Sequence, residues 1–129
     1  MDKFEISKEL MRCFPNSFIN SYGEFIAHKY ANQYFILDNC NTEEDVKVKI
    51  LSWFSRGAHK TEPYKTKKCN DALHKYMLNG INKYLNTNFT KDDISRIYTY
   101  FGNDCNKNKC YEFVQNNYDM KIIEELENR

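Results

Sequence analysis

Residues 68–85 read KCNDALHKYMLNGINKYL, and the rest of the fold can be worked out from this stretch. Its apolar side chains recur every three or four residues, which places them on one face of an α-helix. The side chains on that face are Cys69, Leu73, Tyr76, Met77, Ile81, Tyr84 and Leu85. A glycine inside a helix costs about 1 kcal/mol relative to alanine. We therefore expect a close helix contact at Gly80, in preference to the approach of a ligand.

Helices on either side of this stretch are marked by capping residues. Asn41 or Thr42 precedes three acidic residues and begins a predicted helix over about 42–57, because the cap side chain accepts free N–H groups and carboxylates suit the positive end of the helix dipole. Thr90 and Asp93 have the spacing of a capping box and begin a helix over about 91–101, which Gly102 can end. A last helical region is predicted over about 106–127, in two parts, 106–116 and 119–127.

The N-terminal segment has a mixed pattern. Ser7 is a plausible cap for a short helix that runs toward Tyr22, with Pro15 as a break. Residues 24–37 then alternate aromatic and branched side chains, which predicts a β-hairpin of residues 25–27 and 34–37 around a turn at 29–32. A lone two-stranded hairpin is marginal in water, so it must pack on helices or pair with another chain. The second option favours oligomerisation.

These elements predict one α+β domain over residues 1–129, in which an antiparallel β-hairpin or small sheet near the N-terminus precedes a mainly α-helical C-terminal part. A length of 129 residues fits one such core. The chain has 19 basic and 18 acidic side chains, a near-neutral balance that disfavours a disordered or nucleic-acid-coating protein. Its sequence has no run of 18 apolar residues and no apolar core near Met1, so membrane spanning and secretion are also disfavoured.

Catalytic and metal chemistry are weakly supported. The three histidines, His28, His59 and His74, belong to no metalloprotease, hydrolase or phosphate-loop motif, and each is more simply a surface or structural residue. The five cysteines are read as free thiols. Cys105 and Cys110 are the only close pair, and no second pair completes a zinc site. We expect no catalytic residue, no metal and no cofactor.

Binding of an anionic, aromatic small molecule is better supported, because two regions combine the needed side chains. From Arg56 to Lys75 there are six basic and two acidic residues, a net charge of +4, and phosphate favours such donors. Around residues 98–109, aromatic rings that can stack on a base alternate with Asn, Asp and Lys side chains that can bond to it. A basic loop is more often simply solvated, and Tyr98 with Phe101 is more often core.

Six segments together resemble a known family. In order and spacing they are similar to the small phage proteins of the first anti-Thoeris sponge family, over about residues 20–120. The segments are EFIAH (24–28), YFIL (34–37), DVKVKILSWFSR (45–56), KTEPY (60–64), HKYMLNGIN (74–82) and IYTYFGN (97–103).

The resemblance implies a phage-encoded protein of immune evasion that is not an enzyme and acts in the cytoplasm of the infected bacterium. Thoeris defence uses a TIR-domain enzyme to turn NAD into a cyclic ADP-ribose isomer that activates a lethal effector. Proteins of this family bind that signal, glycocyclic ADP-ribose, and withhold it without cleaving it. They assemble as dimers and as hexamers built from three dimers, and members bind cyclic trinucleotides of CBASS immunity at separate sites.

The resemblance also implies a ligand pocket. Arg56 would contact the diphosphate, Phe101 or Tyr98 the adenine, and Asn103 the ribose or base, whereas lysines stand in a region, 107–109, where the family would have an arginine. The full set of candidate ligand-binding residues is Arg56, Tyr64, Lys65, Tyr98, Phe101, Asn103, Lys107 and Lys109. A dissociation constant near 1 nM corresponds to about −12 kcal/mol, which predicts a deep pocket shared between subunits.

Three other functions stay open. A small helical protein could inhibit a host protein by direct contact through exposed Tyr and Lys side chains. A nucleic-acid-binding domain is disfavoured by the net charge of +1, although the basic segment leaves it possible. Hydrolysis of the cyclic nucleotide comes last, because paired acid and base groups are not evident.

Overall fold

The computed structural model describes residues 2–30, 37, 39–56, 67–102 and 106–127. Those residues form a two-stranded antiparallel sheet near the N-terminus, followed by a mainly helical part, so the predicted α+β class is confirmed. The elements in chain order are α1 (Lys3–Cys13), β1 (Phe18–Ile19), β2 (Phe25–Ile26), α2 (Glu43–Ser55), α3 (Lys67–Leu85), α4 (Lys91–Phe101), α5 (Lys107–Gln115) and α6 (Lys121–Glu127).

The helix starts at α2 and α4 follow the predicted capping chemistry. Thr42 accepts a hydrogen bond from the Asp45 N–H, and the Asp45 carboxylate accepts one from the Thr42 N–H. Thr90 and Asp93 make the same reciprocal pair at α4. Each box satisfies two N–H groups that the helix itself leaves unbonded.

The cap of the first helix lies five residues before the predicted one. Asp2, not Ser7, is the N-cap: its carboxylate accepts hydrogen bonds from the N–H groups of Phe4 and Glu5. The expected break before Pro15 is confirmed, because α1 ends at Cys13 and Phe14 already has an extended backbone.

The hairpin pairs different strands from those predicted. Phe18 pairs with Ile26 and Ile19 with Phe25, so the expected first strand has its partner before it in the chain. The turn is built by Asn20, whose side-chain oxygen accepts from the Tyr22 and Glu24 N–H groups, and by Gly23 at φ +77°. Helical spacing of Phe14 and Phe18 suggested one helix through this region, but these local bonds favour a tight turn. Residues 34–36 of the expected second strand lie outside the described residues.

The packing at Gly80 confirms the expected close contact. A β-carbon at Gly80 would lie less than 3.0 Å from three ring atoms of Phe14, the C-cap residue of α1. Phe14 itself is fully buried and meets Phe25 edge-on, with ring centroids 5.7 Å apart. The missing side chain at Gly80 therefore lets α1 and the hairpin pack on α3.

The C-terminal core is a cluster of aromatic rings between helices. Phe113 on α5 meets Phe101 of α4 at 5.9 Å and Phe89 at 6.3 Å between centroids. The expected gap between the last two helices is confirmed, since Asn117 and Tyr118 have positive φ angles of 55° and 60°. Tyr118 there packs edge-on against Phe89 and Phe113.

Helix α2 is antiparallel to both α5 and α3. Ser52 Oγ donates to Cys110 Sγ at 3.6 Å, whereas eight residues earlier in α2 Glu44 accepts from the Gln115 amide at 2.9 Å. Phe54 near the end of α2 contacts His74 in the first half of α3, with ring centroids 5.2 Å apart. At the other end of the pair, burial, aided by Glu43 at the start of α2, raises the pKa of Tyr84 near the end of α3. The C-terminus of α2 and the N-termini of α3 and α5 therefore lie on the same side of the molecule.

Candidate ligand-binding groove

Two of the predicted basic contacts lie on that common side. Arg56 is the exposed C-cap of α2, and Lys107 is the first residue of α5. Two further exposed lysines, Lys67 and Lys68, begin α3. We call these four cations the basic end; they come from positions up to 51 apart in the chain and lie on the same side of the molecule.

The aromatic residues of the predicted site are not brought together. Phe101 is 1% exposed and packs edge-on against Phe113, so its ring belongs to the core and is closed to a ligand in this chain. Ile94, Ile97 and Phe101 recur every three or four residues, so all three lie on the face of α4 that packs against the core. Tyr98, at the margin of that face, is exposed.

The other predicted contacts divide between surface and undescribed residues. Lys109 is half-buried, with its ammonium 5.4 Å from the centroid of the Tyr100 ring. Tyr64, Lys65 and Asn103 lie outside the described residues. Lys107 lines a hollow of about 290 Å³ between α2 and α5, together with Lys49, Ser52 and Cys110.

The cysteines and histidines show no clustered metal site among the described residues. Cys110 and Cys40 are buried, and Cys105 and His59 lie outside the described residues. His74 is 7% exposed and contacts Phe54, and burial, aided by Lys91 and opposed by Asp71, lowers its pKa.

A groove of about 580 Å³ lies beside the first turns of α3. One wall is α3 itself, and the other is formed by the chain after α1 and the chain after β2. The described lining residues are Asn16, His28, Tyr30, Cys69, Ala72, Leu73 and Tyr76. We call this hollow the aromatic groove.

Tyr76 joins the walls of the aromatic groove at a single oxygen. Its hydroxyl donates to the carbonyl of Ala27 at 2.7 Å and accepts from the Asn16 N–H at 3.0 Å. Burial raises the pKa of Tyr76, so the hydroxyl keeps its proton for the first of these bonds. With both bonds made, the ring edge is fixed while its carbon atoms line the groove.

His28 lies across the groove mouth between two aromatic rings. Its ring centroid is 5.2 Å from that of Tyr76 and 5.5 Å from that of Tyr30. Its Nδ1 accepts a hydrogen bond from the Tyr30 N–H at 3.1 Å, which requires a lone pair on Nδ1 and therefore a proton on Nε2 in the neutral ring. Burial, aided by Lys29, lowers the pKa of His28, so that neutral form prevails at pH 7.

Positive potential surrounds the groove. The ammonium of Lys29 lies 4.9 Å from the centroid of the Tyr30 ring. Lys67 and Lys68 precede Cys69 on α3, and the N-terminus of that helix carries the positive end of its dipole. A ligand that stacks on the rings and extends along α3 toward its start would meet increasing positive potential.

The sequence contained these residues but did not show their combination. Cys69, Leu73 and Tyr76 were assigned to the apolar face of a helix, and they do lie on one face, but at its first turns that face lines the groove. From its sequence context His28 is more simply a surface or structural residue, and no pattern distinguishes Asn16. The sequence signal for the groove was the run His28, Lys29, Tyr30, in which two ring side chains flank a basic residue.

Comparison with known proteins identifies no relative of the chain. No protein-family model matches it, and no curated protein or solved structure matches it either.

Proposed function

We propose that the protein captures a cyclic nucleotide signal, glycocyclic ADP-ribose of Thoeris defence, and sequesters it without cleaving it. The protein in this proposal is phage-encoded and acts in the cytoplasm of the infected bacterium. None of the helices in the described part of the chain is long and apolar enough to cross a membrane. The identity of the ligand is what the resemblance of the six sequence segments implies, and the structural observation that supports it is the aromatic groove at the start of α3.

The groove offers what such a ligand needs. Its volume of about 580 Å³ lies within the range of about 300–1,000 Å³ typical of small-molecule sites. The rings of His28, Tyr30 and Tyr76 offer stacking surfaces for a base, which are worth about 1–3 kcal/mol per base in other proteins. The N-terminal turn of α3 and its lysines suit a phosphate.

Capture without cleavage is favoured by the state of His28. The groove also contains the Cys69 thiol, and a cysteine nucleophile needs a nearby base to remove its proton. The Nδ1 lone pair of His28 is engaged by the Tyr30 N–H, and Nε2 carries the proton. His28 is thus arranged as a donor and not as the base that Cys69 would require.

A homo-oligomer, from dimer to hexamer, is part of the proposal. The described lining of the groove does not include Arg56 or Lys107. In a pocket shared between protomers, Arg56 and Lys107 of one chain close the groove of another and supply contacts to the diphosphate. The exposed side chains of the two-residue strand β1 are available for such pairing.

The test is to incubate the pure protein with glycocyclic ADP-ribose, remove free ligand, denature the protein by heat and identify what is released. Ala72→Trp should abolish capture, because Ala72 lines the groove and its side chain is exposed. Asn79→Trp is the matched control: it lies on the same helix, is also exposed and does not line the groove.

Each result has a clear meaning. Intact ligand released from wild type and Asn79→Trp, but not from Ala72→Trp, supports the proposal. A changed product would mean that the protein is an enzyme. Failure of wild type to capture this ligand would overturn the proposal for Thoeris, and the same assay with a CBASS cyclic trinucleotide then tests the second ligand class.

The shared pocket can be tested by mixing variants. Arg56→Ala should weaken binding by about 2 kcal/mol, the range for a hydrogen bond to a charged group. If Arg56 acts across the interface, a mixture of Arg56→Ala and Ala72→Trp chains contains some sites with both intact halves. Partial recovery of capture in the mixture supports a shared pocket, and a simple average of the two variants would contradict it.

Direct inhibition of a host protein is the second candidate, because the N-terminal part of the chain carries several exposed apolar side chains. Phe4 and Met11 of α1, Phe18 and Ile19 of β1, and Tyr22 in the turn are 40–86% exposed. Exposed apolar side chains can contribute to protein interaction sites. A host protein that binds wild type and Ala72→Trp but not Phe18→Ser would favour this function over ligand capture.

A further inference from the structure

One hydrogen-bond donor in the aromatic groove has no partner among the described residues. The Tyr30 N–H occupies Nδ1 of His28, while Nε2 of the same ring makes no hydrogen bond with the described part of the chain. His28 is half-buried in the groove lining. A donor in such a position is usually satisfied by water or by a ligand.

The orientation of this donor is fixed from two sides. Tyr76 packs edge-on against the imidazole and is itself held by Asn16 and Ala27, and the Tyr30 backbone determines which nitrogen carries the proton. A polar group that is held in this way discriminates between ligands, since a ligand without a matching acceptor would leave it desolvated and unpaired.

We propose that His28 is a specificity-determining residue of the groove, whose Nε2–H donates to a ring-nitrogen acceptor on the base of a bound purine nucleotide. This inference rests on the proposed function, because it assigns a role to one residue of the same site. It excludes ligands of similar size and charge that lack an acceptor at that place on the ring.

The arrangement of residues along the groove favours one orientation of a bound nucleotide. His28 contacts Tyr76, whereas Cys69 lies seven residues nearer to the start of α3, a distance of about 10 Å along the helix axis. A base placed against His28 therefore has its phosphate end toward the N-terminal turn of α3, beside Lys67 and Lys68. The described residues that line the groove include no carboxylate that would repel it.

Two substitutions separate the roles of the two imidazole nitrogens. In His28→Asn the side-chain oxygen stands near the place of Nδ1 and can still accept from Tyr30, but the Nε2 donor is lost. In His28→Gln the amide nitrogen reaches the place of Nε2 and keeps a donor. We expect glycocyclic ADP-ribose to bind His28→Asn about tenfold more weakly than wild type, and His28→Gln within about threefold of wild type, since one hydrogen bond is worth about 0.5–1.5 kcal/mol.

A second measurement keeps this inference apart from the proposed function. Adenosine monophosphate serves as a simple probe, and the Nε2 resonance of His28 is followed by nitrogen-detected NMR in the wild-type protein. A shift of that resonance supports the role of His28 even if glycocyclic ADP-ribose is not captured, a result that would overturn only the proposed function. Equal losses of affinity in the Asn and Gln variants, or no response of Nε2 to either ligand, would overturn the role of His28.

Discussion

The capped helices and the region around the groove are held by contacts of very different sequence separation. At α2 and α4 the deciding hydrogen bonds join residues three positions apart, Thr42 with Asp45 and Thr90 with Asp93. At the groove, the Tyr76 hydroxyl joins residues 60 and 49 positions away. The first kind of contact forms each helix by itself, whereas the second exists only when α1, the hairpin and α3 are all in place. The groove should therefore be the more easily disrupted region.

The largest effect is expected for Gly80→Ala. The added methyl group would overlap the ring of Phe14, which is fully buried and cannot move aside. Because the added carbon would lie only 2.2 Å from the nearest ring atom, the cost lies at the upper end of the range for overpacking, about 3 kcal/mol, and the gain of about 1 kcal/mol in helix propensity offsets only part of it. We expect the free energy of unfolding in urea to fall by about 2 kcal/mol, whereas Asn79→Ala on the exposed face should leave it nearly unchanged.

Phe14→Leu provides the check on that explanation. A smaller side chain at position 14 makes room for the methyl group, so the double variant should be less destabilised than the sum of the two single variants. If the losses in the free energy of unfolding simply add, the contact with Phe14 is not the reason why position 80 requires glycine.

Tyr76→Phe should have the next largest effect. The ring remains, but the Ala27 carbonyl and the Asn16 N–H both lose their partner, at about 0.5–1.5 kcal/mol for each bond. We expect a loss of about 1.5 kcal/mol, together with faster amide hydrogen exchange at residues 16 and 27–30 and unchanged exchange in α4. Tyr22→Phe, at an 86% exposed residue, is the control. A uniform change of exchange across the chain would contradict the separate behaviour of the groove.

Sequence reasoning succeeded where the deciding contacts are local. The capping boxes at Thr42 and Thr90 and the end of α4 at Gly102 all follow from side chains within a few positions of the backbone groups they serve. The partner of Phe25 in the hairpin could not be obtained in this way. The apolar pattern suits pairing with either flanking segment, and the turn at Asn20 and Gly23 decides between them.

The site was harder to predict than the fold for the same reason. Helical periodicity indicates which residues share a face of α3, but not that its first turns line a groove and its middle packs on Phe14. Likewise, Tyr98 and Phe101 were both plausible stacking residues until the structure placed Phe101 in the core. What stays predicted from sequence alone is the role of the segment that contains Tyr64 and Lys65.

Loss of a cap should have a smaller and more local effect. Thr90→Ala removes the acceptor for the Asp93 N–H and should cost about 1 kcal/mol. Because the cap serves α4 alone, exchange protection should fall in its first turn while residues 16 and 27–30 keep theirs. Thr99→Ala, which removes only a bond to the Ser95 carbonyl on the exposed face of α4, is the control. Reduced exchange protection at residues 16 and 27–30 in Thr90→Ala would contradict the separate behaviour of the capped helices and the groove.

The smallest expected effect is the change in the free energy of unfolding with pH. Each region contains one histidine that contributes to it, His74 in the helical core and His28 in the groove. Burial lowers the pKa of His74, which packs on Phe54 beside Lys91 and Asp71, and also that of His28, which faces Lys29, Tyr30 and Tyr76 in the groove. The unfolded chain therefore binds more protons, so the free energy of unfolding should decline as pH falls below about 6.5 and recover above it.

Asp45 titrates in a different pH range, so it does not obscure this slope. Hydrogen bonds from Tyr111, Asn41 and Thr42 lower its pKa, and its contribution is lost only as pH falls below the usual carboxylate range. His74 is more deeply buried than His28, so His74→Gln should remove more of the slope measured by urea unfolding between pH 5.5 and 7.5, values chosen about the usual histidine pKa. If His28→Gln removed more of the pH slope than His74→Gln, the pKa of the groove histidine and not that of the core histidine would be the more strongly lowered.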